Sequence, residues 1–491
     1  VSGHYPARVL IYTHRWLGIA IGILFINWFL SGIVMMYARM PALDPSERLA
    51  RLPAIAATGL RVDPPPAGSE ITRFTITSLE GRPVYRMALE ERTRFVFADT
   101  GDDVPAVDRD QALRIARAYV GVGPVRYDAW LSDADQWTFD VRRQMPLHRI
   151  AVDDAAHTRL YVAENGGAIV GKTTASGRRW GALGAVMHWL YFAPLRRHAG
   201  SWSTMIIWVS IAGVVMCAAG LAWGAWRIAP IRGYRLRDRR QWTPYSFQMR
   251  WHHYLGLAFG ITTAMWVFSG LLSMDPWSWS PPTTATPDQR LRLADGPIAA
   301  ADLTAARLRR AVDAFRPRLA KEIEIVRFRG RYYASAAEGI VSFDAPYLGA
   351  VAQLPPDLVV GAASIVMPGV PIVGMRWMED YDSYYYDRTR RRSLPVLRVR
   401  YGDSLRTWLY IDPRHGTIAR KEERLSRLNR WLYHGFHSFD FPFLYYRRPL
   451  WDIVVLTFSI GGLLLSITSI RSGWRRVKRK ARAATAQPGA S

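Results

Sequence analysis

Charge vanishes from four stretches of this chain and is dense between them. Residues 16–38, 199–226, 254–274 and 453–470 contain no Asp, Glu, Lys, Arg or His. Each is long enough, or nearly so, to cross a hydrocarbon core about 30 Å thick at about 1.5 Å of rise per residue. Trp, Tyr and Arg flank every stretch, which favours membrane spans over buried soluble helices. The first is too long for the apolar core of a cleavable signal peptide and has no small-x-small cleavage site.

The flanks predict an orientation. Arg8 and Arg15 precede the first span, seven Arg and one acid (Asp238) lie in 227–250, and seven Lys/Arg with no acid follow in 471–491. By the positive-inside rule these three flanks are cytoplasmic, and 39–198 and 275–452 lie on the other side. The expected order is a cytoplasmic N-terminus and first span (1–38), an external domain (39–198), a span (199–226) and a basic cytoplasmic loop (227–250). A span (251–274), a second external domain (275–452), a span (453–470) and a basic cytoplasmic tail (471–491) complete it. Most of the net charge of +25 therefore reads as a topology signal, and no nucleic-acid motif accompanies it. A hydrophobic content of 49% excludes a disordered chain, and the lone Cys217 excludes disulfide scaffolds and Cys-ligated clusters.

Shifted by 238 residues, the first span lies on the third without a gap. His14, Leu17, Gly18, Ala20, Gly22, Ile23, Trp28, Ser31, Gly32 and Met36 meet the same residue types at 252, 255, 256, 258, 260, 261, 266, 269, 270 and 274. An offset of 249 matches His188, Phe192, Leu195 and Trp202 with His437, Phe441, Leu444 and Trp451. The pattern predicts two copies of one unit of helix, external domain and helix, packed about an axis along the membrane normal. Gly18 and Gly22, with Gly256 and Gly260, have the spacing of close helix contacts.

Each external segment reads as an α+β module. In the first, 108–122 has helical periodicity, followed by strands at VRYDAWL, QWTFDVRR, HRIAVD and TRLYVAENGGAIVGKT. In the second, 302–315 is the expected helix, with strands at IEIVRFRGRYYASA, SLPVLRVRYG and RTWLYIDPRHGTIARK. The aromatic and acidic run at 376–386 reads as a packed domain edge or a binding surface.

Histidine carries the candidate chemistry. Ionisable groups at span ends are expensive and usually have a reason. The two-copy arrangement brings His14 to His252 on the cytoplasmic side and His188 to His437 on the external side. Opposed imidazoles from facing helices suit axial ligation of haem iron, one haem b near each face. His253, His434 and His198 are rival ligands. Zinc is disfavoured because no Cys or carboxylate completes a tetrahedral set. With no dinucleotide fingerprint and no cytoplasmic segment long enough for a flavin domain, the donor is expected to be a quinol or a cytoplasmic reductase.

HRWLGIAIGILFINWFLSG at 14–32, LPVLRV and TWLYIDPRHGTI within 394–418, and RWLYHGFHSFDFPFLYYRRPLWD at 430–452 resemble the PepSY-associated transmembrane family. That family includes iron-regulated inner-membrane and siderophore-reductase-like proteins of Gram-negative bacteria. The resemblance implies a bacterial inner-membrane protein with periplasmic PepSY-like domains. In its reductase-like members it implies haem b on membrane histidines, at the positions of His14, His252, His188 and His437, and reduction of ferric siderophores.

The expected function is a transmembrane haem oxidoreductase that reduces a periplasmic ferric chelate or other small acceptor. Its rival is a non-enzymatic PepSY membrane protein that binds or restrains a periplasmic partner such as a peptidase. A transporter fits less well, since the spans are few and none is broken or centrally charged.

Overall fold

The computed structural model describes residues 4–231, 233–236, 239–316, 319–345 and 349–485. Arg232, Arg237 and Asp238 of the basic loop lie outside the described residues. The helices used below are, in chain order, α1 (His4–Met35), α2 (Arg109–Val120), α3 (Ala199–Arg227), α4 (Phe247–Ser273), α5 (Pro287–Ala294), α6 (Ala305–Asp313), α7 (Pro356–Val366) and α8 (Leu450–Thr485). The chain divides into two units, one formed by residues 1–40, 176–280 and 428–491 and the other by 41–175 and 281–427.

The first unit is helical. The helices α1, α3, α4 and α8 are long and apolar enough to cross a membrane, matching the four uncharged stretches. In hydrocarbon a helix satisfies its own backbone, which is what such stretches require. Each of α1 and α4 packs against both α3 and α8, so α1 and α4 face each other along a diagonal of the bundle. Large side chains such as Ile23, Trp208, Ile261 and Ile453 remain exposed on the outer faces, as expected of surfaces meant for lipid. Between them Phe25, Phe29, Met216, Cys217 and Val267 form a buried core.

Both α1 and α8 continue well beyond the uncharged stretches, α1 from His4 and α8 through Thr485. Because α1 starts at His4, His14 sits about three turns inside the helix. Two π-helical turns, Ala182–Val186 and Arg430–Gly435, precede His188 and His437. Both histidine segments end on a residue in the left-handed region, Leu190 (φ 52°) and Phe439 (φ 48°). The two residues are related by the same offset of 249 that matches the histidines. The indole N–H groups of Trp202 and Trp451, also 249 apart, donate to the carbonyls of Trp189 (3.1 Å) and Ser438 (2.9 Å).

The second unit carries the sheets. Its strands are β1 (Arg73–Leu79), β2 (Arg82–Ala88), β3 (Thr93–Phe97), β4 (Val125–Leu131), β5 (Leu147–Val152), β6 (Arg159–Ala163) and β7 (Ile169–Thr173) from the first segment. The short pair β8 (Tyr234–Leu236) and β9 (Arg239–Gln241) belongs to the helical unit. The second segment supplies β10 (Ile323–Phe328), β11 (Arg331–Ala336), β12 (Gly339–Ser342), β13 (Ile372–Met378), β14 (Val396–Tyr401), β15 (Trp408–Asp412) and β16 (Thr417–Glu422).

Two four-stranded antiparallel meanders, β4–β7 and β13–β16, lie in the two segments. Their helices α2 and α7 bury an apolar stripe against them: Ala112, Ala116 and Tyr119 on Ile150 and Val162, and Val359, Ala363 and Val366 on Leu397 and Leu409. A third, six-stranded sheet runs β12-β11-β10-β1-β2-β3. It is made from both segments, because β1 pairs antiparallel with β10 (Phe74 opposite Ile325, Thr75 opposite Glu324). Two of its hairpins, β1–β2 and β10–β11, turn on Glu80–Gly81 and Arg329–Gly330, two positive-φ residues each, as in the favoured two-residue hairpin turns.

Three details differ from the sequence reading. QWTFDVRR is not a strand: Phe139–Gln144 form a short 3-10 helix. The expected helix at 302–315 exists as α6, but it covers the shared sheet with Leu308, Ala311 and Val312. The helix of the second meander is α7, whose run PDLVVGAASIV lacks the polar face that advertises an amphipathic helix. Treating 39–198 and 275–452 as separate domains also leaves out the sheet that joins them.

Candidate functional site

The four matched histidines meet in two pairs. His14 on α1 and His252 on α4 face each other across the diagonal, ring centroids 6.0 Å apart and planes 40° apart. His188 and His437, each just after its π-helical turn, also have centroids 6.0 Å apart, with planes at 73°. Gly32 and Gly270, which match at an offset of 238, lie against these two rings: a Cβ at either would sit 3.5 Å from His188 or 3.7 Å from His437. Gly220 makes room for His14, since a Cβ there would approach its ring to 2.5 Å.

Hydrogen bonding fixes the tautomer of all four rings. Nδ1 of His14 lies 2.9 Å from the Met216 carbonyl oxygen, which only accepts, so Nδ1 carries the hydrogen. Nδ1 of His252 lies 3.0 Å from the Thr468 hydroxyl, whose single hydrogen goes to the Leu465 carbonyl at 2.7 Å. Thr468 must therefore accept from His252. The same logic holds at the other pair. Ser31 donates to the Asn27 carbonyl (2.6 Å) and accepts from His188 (3.1 Å). Ser269 donates to the Trp266 carbonyl and accepts from His437, both at 3.0 Å. Each imidazole is thus an Nδ1–H tautomer with its lone pair on Nε2, the arrangement of a metal-binding histidine oriented from behind.

The rivals are placed differently. His253 is buried with both nitrogens engaged, Nδ1 by Thr243 (2.7 Å) and Nε2 by the Gly224 carbonyl (2.9 Å). His434 is exposed and rests on Tyr433, ring centroids 4.5 Å apart. His198 is exposed immediately before α3.

A cavity of about 520 Å³ surrounds the His14–His252 pair. That lies in the range of cofactor sites, about 300–1,000 Å³. The glycines 18, 22, 256 and 260 line it, and a Cβ on any of them would also meet a side chain of α3 or α8 at 2.9–3.7 Å, so the same positions serve close helix packing and leave the cavity open. Two imidazole nitrogens on opposite sides of one metal, each about 2 Å from it, place their ring centres roughly 6 Å apart. Both pairs have that spacing. Among the described residues no group of three or more His, Cys, Asp or Glu is arranged to hold a metal ion by itself. At His14 and His252, paired imidazoles beside a glycine-lined hollow therefore fit a haem.

Outside the long apolar helices, the part of the run 376–386 from Tyr381 onward is packed, whereas Arg376, Glu379 and Asp380 are exposed. The Asp382 carboxylate takes bonds from Arg398 and from the Tyr410 hydroxyl, both at 2.9 Å, and from the backbone N–H groups of Tyr384 and Tyr385. His415 in the β15–β16 turn donates from Nδ1 to Asp412 at 2.7 Å. That bond raises its pKa above the ordinary imidazole value. Ser393 lies 3.5 Å from the same nitrogen, so the three do not form a nucleophile–base relay, which needs the two ring nitrogens separately.

No protein-family model and no curated protein matches the chain. Sequence reasoning missed Thr468, the Met216 carbonyl and Gly220. It recorded Ser31 and Ser269 as part of the match between spans without giving them a role.

Proposed function

We propose that this chain is a bacterial inner-membrane haem oxidoreductase that moves electrons from the cytoplasmic side to a periplasmic acceptor. Two b haems are held, one by His14 and His252 and one by His188 and His437. The observation that carries this reading is the pairing itself: two pairs of imidazoles at one spacing, every ring turned by a hydrogen bond at Nδ1 so that Nε2 is the coordinating nitrogen. Bound at such sites, haem supplies reversible one-electron chemistry. The protein's residues do the rest. The Met216 carbonyl and the hydroxyls of Thr468, Ser31 and Ser269 orient the ligands, the glycines leave space, and the apolar core around Phe25 and Phe29 keeps water from between the sites.

The pairing of β1 with β10 supports the topology. Segments 41–175 and 281–427 share a sheet, so they lie on one side, and α3 and α4 run out and back between them. The basic flanks make the opposite side cytoplasmic, with both termini there. A ferric chelate, of which ferric siderophores are the class implied by the PepSY resemblance, is the acceptor we assign. A quinol or a cytoplasmic reductase is the donor.

The test is the absorption spectrum and pyridine haemochrome of the purified protein. Two haem b equivalents with bis-imidazole spectra are expected, and His14→Ala or His252→Ala removes one while leaving the other. A colourless protein after expression with ample haem overturns the reading. A pull-down from such a colourless protein that retains a periplasmic peptidase favours the non-enzymatic alternative.

A further inference from the structure

The cavity around His14 and His252 is apolar in its depth and cationic at its mouth. Arg15 on α1 and Arg475, Arg476 and Arg479 on α8 line it at the end that carries the chain termini. Arg15 and Arg476 are half-buried. Arg15 also lies near Tyr12, 5.3 Å from the ring centroid. None of the four is paired with a carboxylate among the described residues, and 471–491 contains no Asp or Glu. Several other half-buried arginines of this protein are neutralised by acids, as Arg149 is by Asp128 and Asp135, Arg398 by Asp382 and Arg420 by Glu422. Several like charges gathered beside low-dielectric surface repel one another strongly unless an anion joins them. Guanidinium forks match carboxylates two bonds at a time.

We infer that these arginines form a dicarboxylate subsite of the cavity, which takes its porphyrin with the two carboxylates toward the mouth and the apolar edge toward Phe25. This rests on the haem reading above and adds to it the direction in which the macrocycle is held. Arg15 and Arg476 are the principal contacts, because they are the half-buried ones. Arg475 and Arg479 complete the positive rim.

The arginines line the cavity itself, which distinguishes this role from binding of lipid phosphates on the outer surface. It also accounts for a division along the slot. Gly18, Gly22, Gly256 and Gly260 line it beyond the histidines, where an apolar ring needs space, and the cations line only the end that carries the chain termini.

The experiment uses the full chain carrying His437→Ala, which leaves only the His14–His252 site, prepared without haem in discs of neutral phosphatidylcholine. It is titrated with haemin or with haemin dimethyl ester, and uptake is read from the Soret band. The dicarboxylate is expected to bind at least about tenfold more tightly than the diester. Arg15→Gln with Arg476→Gln should abolish that preference while leaving diester binding unchanged, which also shows that the variant is folded. If the double variant takes up neither form, Arg475→Gln and Arg479→Gln are read singly, and a smaller dicarboxylate preference in either supports the inference. Equal binding of the two porphyrins by the parent, or a preference untouched by every arginine substitution, overturns it. Variant effects that appear only in phosphatidylglycerol discs assign the arginines to lipid phosphate and likewise overturn it. A parent that takes up neither porphyrin sinks the haem reading instead, so the two failures are distinct.

Discussion

Ser31 and Ser269 each give their single hydrogen to a helix carbonyl and so must accept the Nδ1–H of His188 and His437. Ser269→Ala removes the acceptor without adding bulk, and the ring loses its anchor. Haem affinity at that site is expected to fall about 10–100-fold, the usual effect of deleting a partner behind a ligand. The reduction midpoint of that haem should also shift, and Ser269→Thr should restore both. Haem titration and a redox titration check this, and an unchanged midpoint in the Ala variant would remove the serine's orienting role. A second residue-scale effect concerns His415, whose folded pKa is raised chiefly by its hydrogen bond to Asp412. The pair's contribution is therefore fully present below about pH 6.5, the unfolded value, and fades as pH rises through the higher folded value. The ring is half-exposed, so the contribution is at most about 1 kcal/mol after solvent screening. An NMR titration should place the His415 midpoint above the ordinary value, and Asp412→Asn should bring it back. At this scale the sequence singled out the histidines that pair only through the match between halves. His252 and His253 are adjacent and chemically identical. What separates them is that Thr243 and the Gly224 carbonyl occupy both nitrogens of one, a fact of three-dimensional packing.

The four long apolar helices were legible because a long run without charge seldom survives in a chain surrounded by water. Their ends were not legible. Residues 4–13 and 471–485 are helical despite Arg8 and a string of Lys and Arg, since long basic side chains extend from a helix end to polar surroundings. The π-helical turns before His188 and His437 have no sequence signature at all. A single extra residue in a helical turn leaves composition unchanged while re-aiming the side chains beyond it. The tight places within α8 were equally hidden. A Cβ at Gly462 would lie 2.1 Å from the Phe29 ring, and one at Gly461 would lie 2.4 Å from Phe259. Gly462→Val should thus destabilise the helical unit by about 1–3 kcal/mol through overpacking. Phe29→Ala in the same chain should recover much of the loss. Thermal unfolding in detergent measures both, and a Gly462→Val protein as stable as the parent would show that α8 stands further from α1 than this close approach requires.

At the scale of the whole molecule, the likeness of the two halves was visible in the matched spans, whereas the union of the external segments was not. Strands IEIVRF and RFTITSL look alike in their alternation, and nothing in either names its distant partner, as Phe74 and Thr75 find Ile325 and Glu324. The pairing is testable with little background, because Cys217 is the chain's only cysteine and is buried. Thr75→Cys with Glu324→Cys should close an intramolecular disulfide in the full protein, since directly opposed antiparallel residues lie about 4.5–5.5 Å apart. Proteolysis between the segments would then leave them linked until reductant is added, and separation without reductant would contradict the shared sheet. Synthesis of the chain feels the same connection. When the ribosome has made residues through Thr173, β1 has β2 on one flank and bare backbone on the other, and the strand that will cover it, β10, begins only at Ile323. For that interval an unpaired strand is offered to any other nascent chain. Production of this protein should therefore depend on chaperones that shield the first segment, and on α3 and α4 being inserted promptly enough to deliver β10 before the vacancy is filled by a stranger.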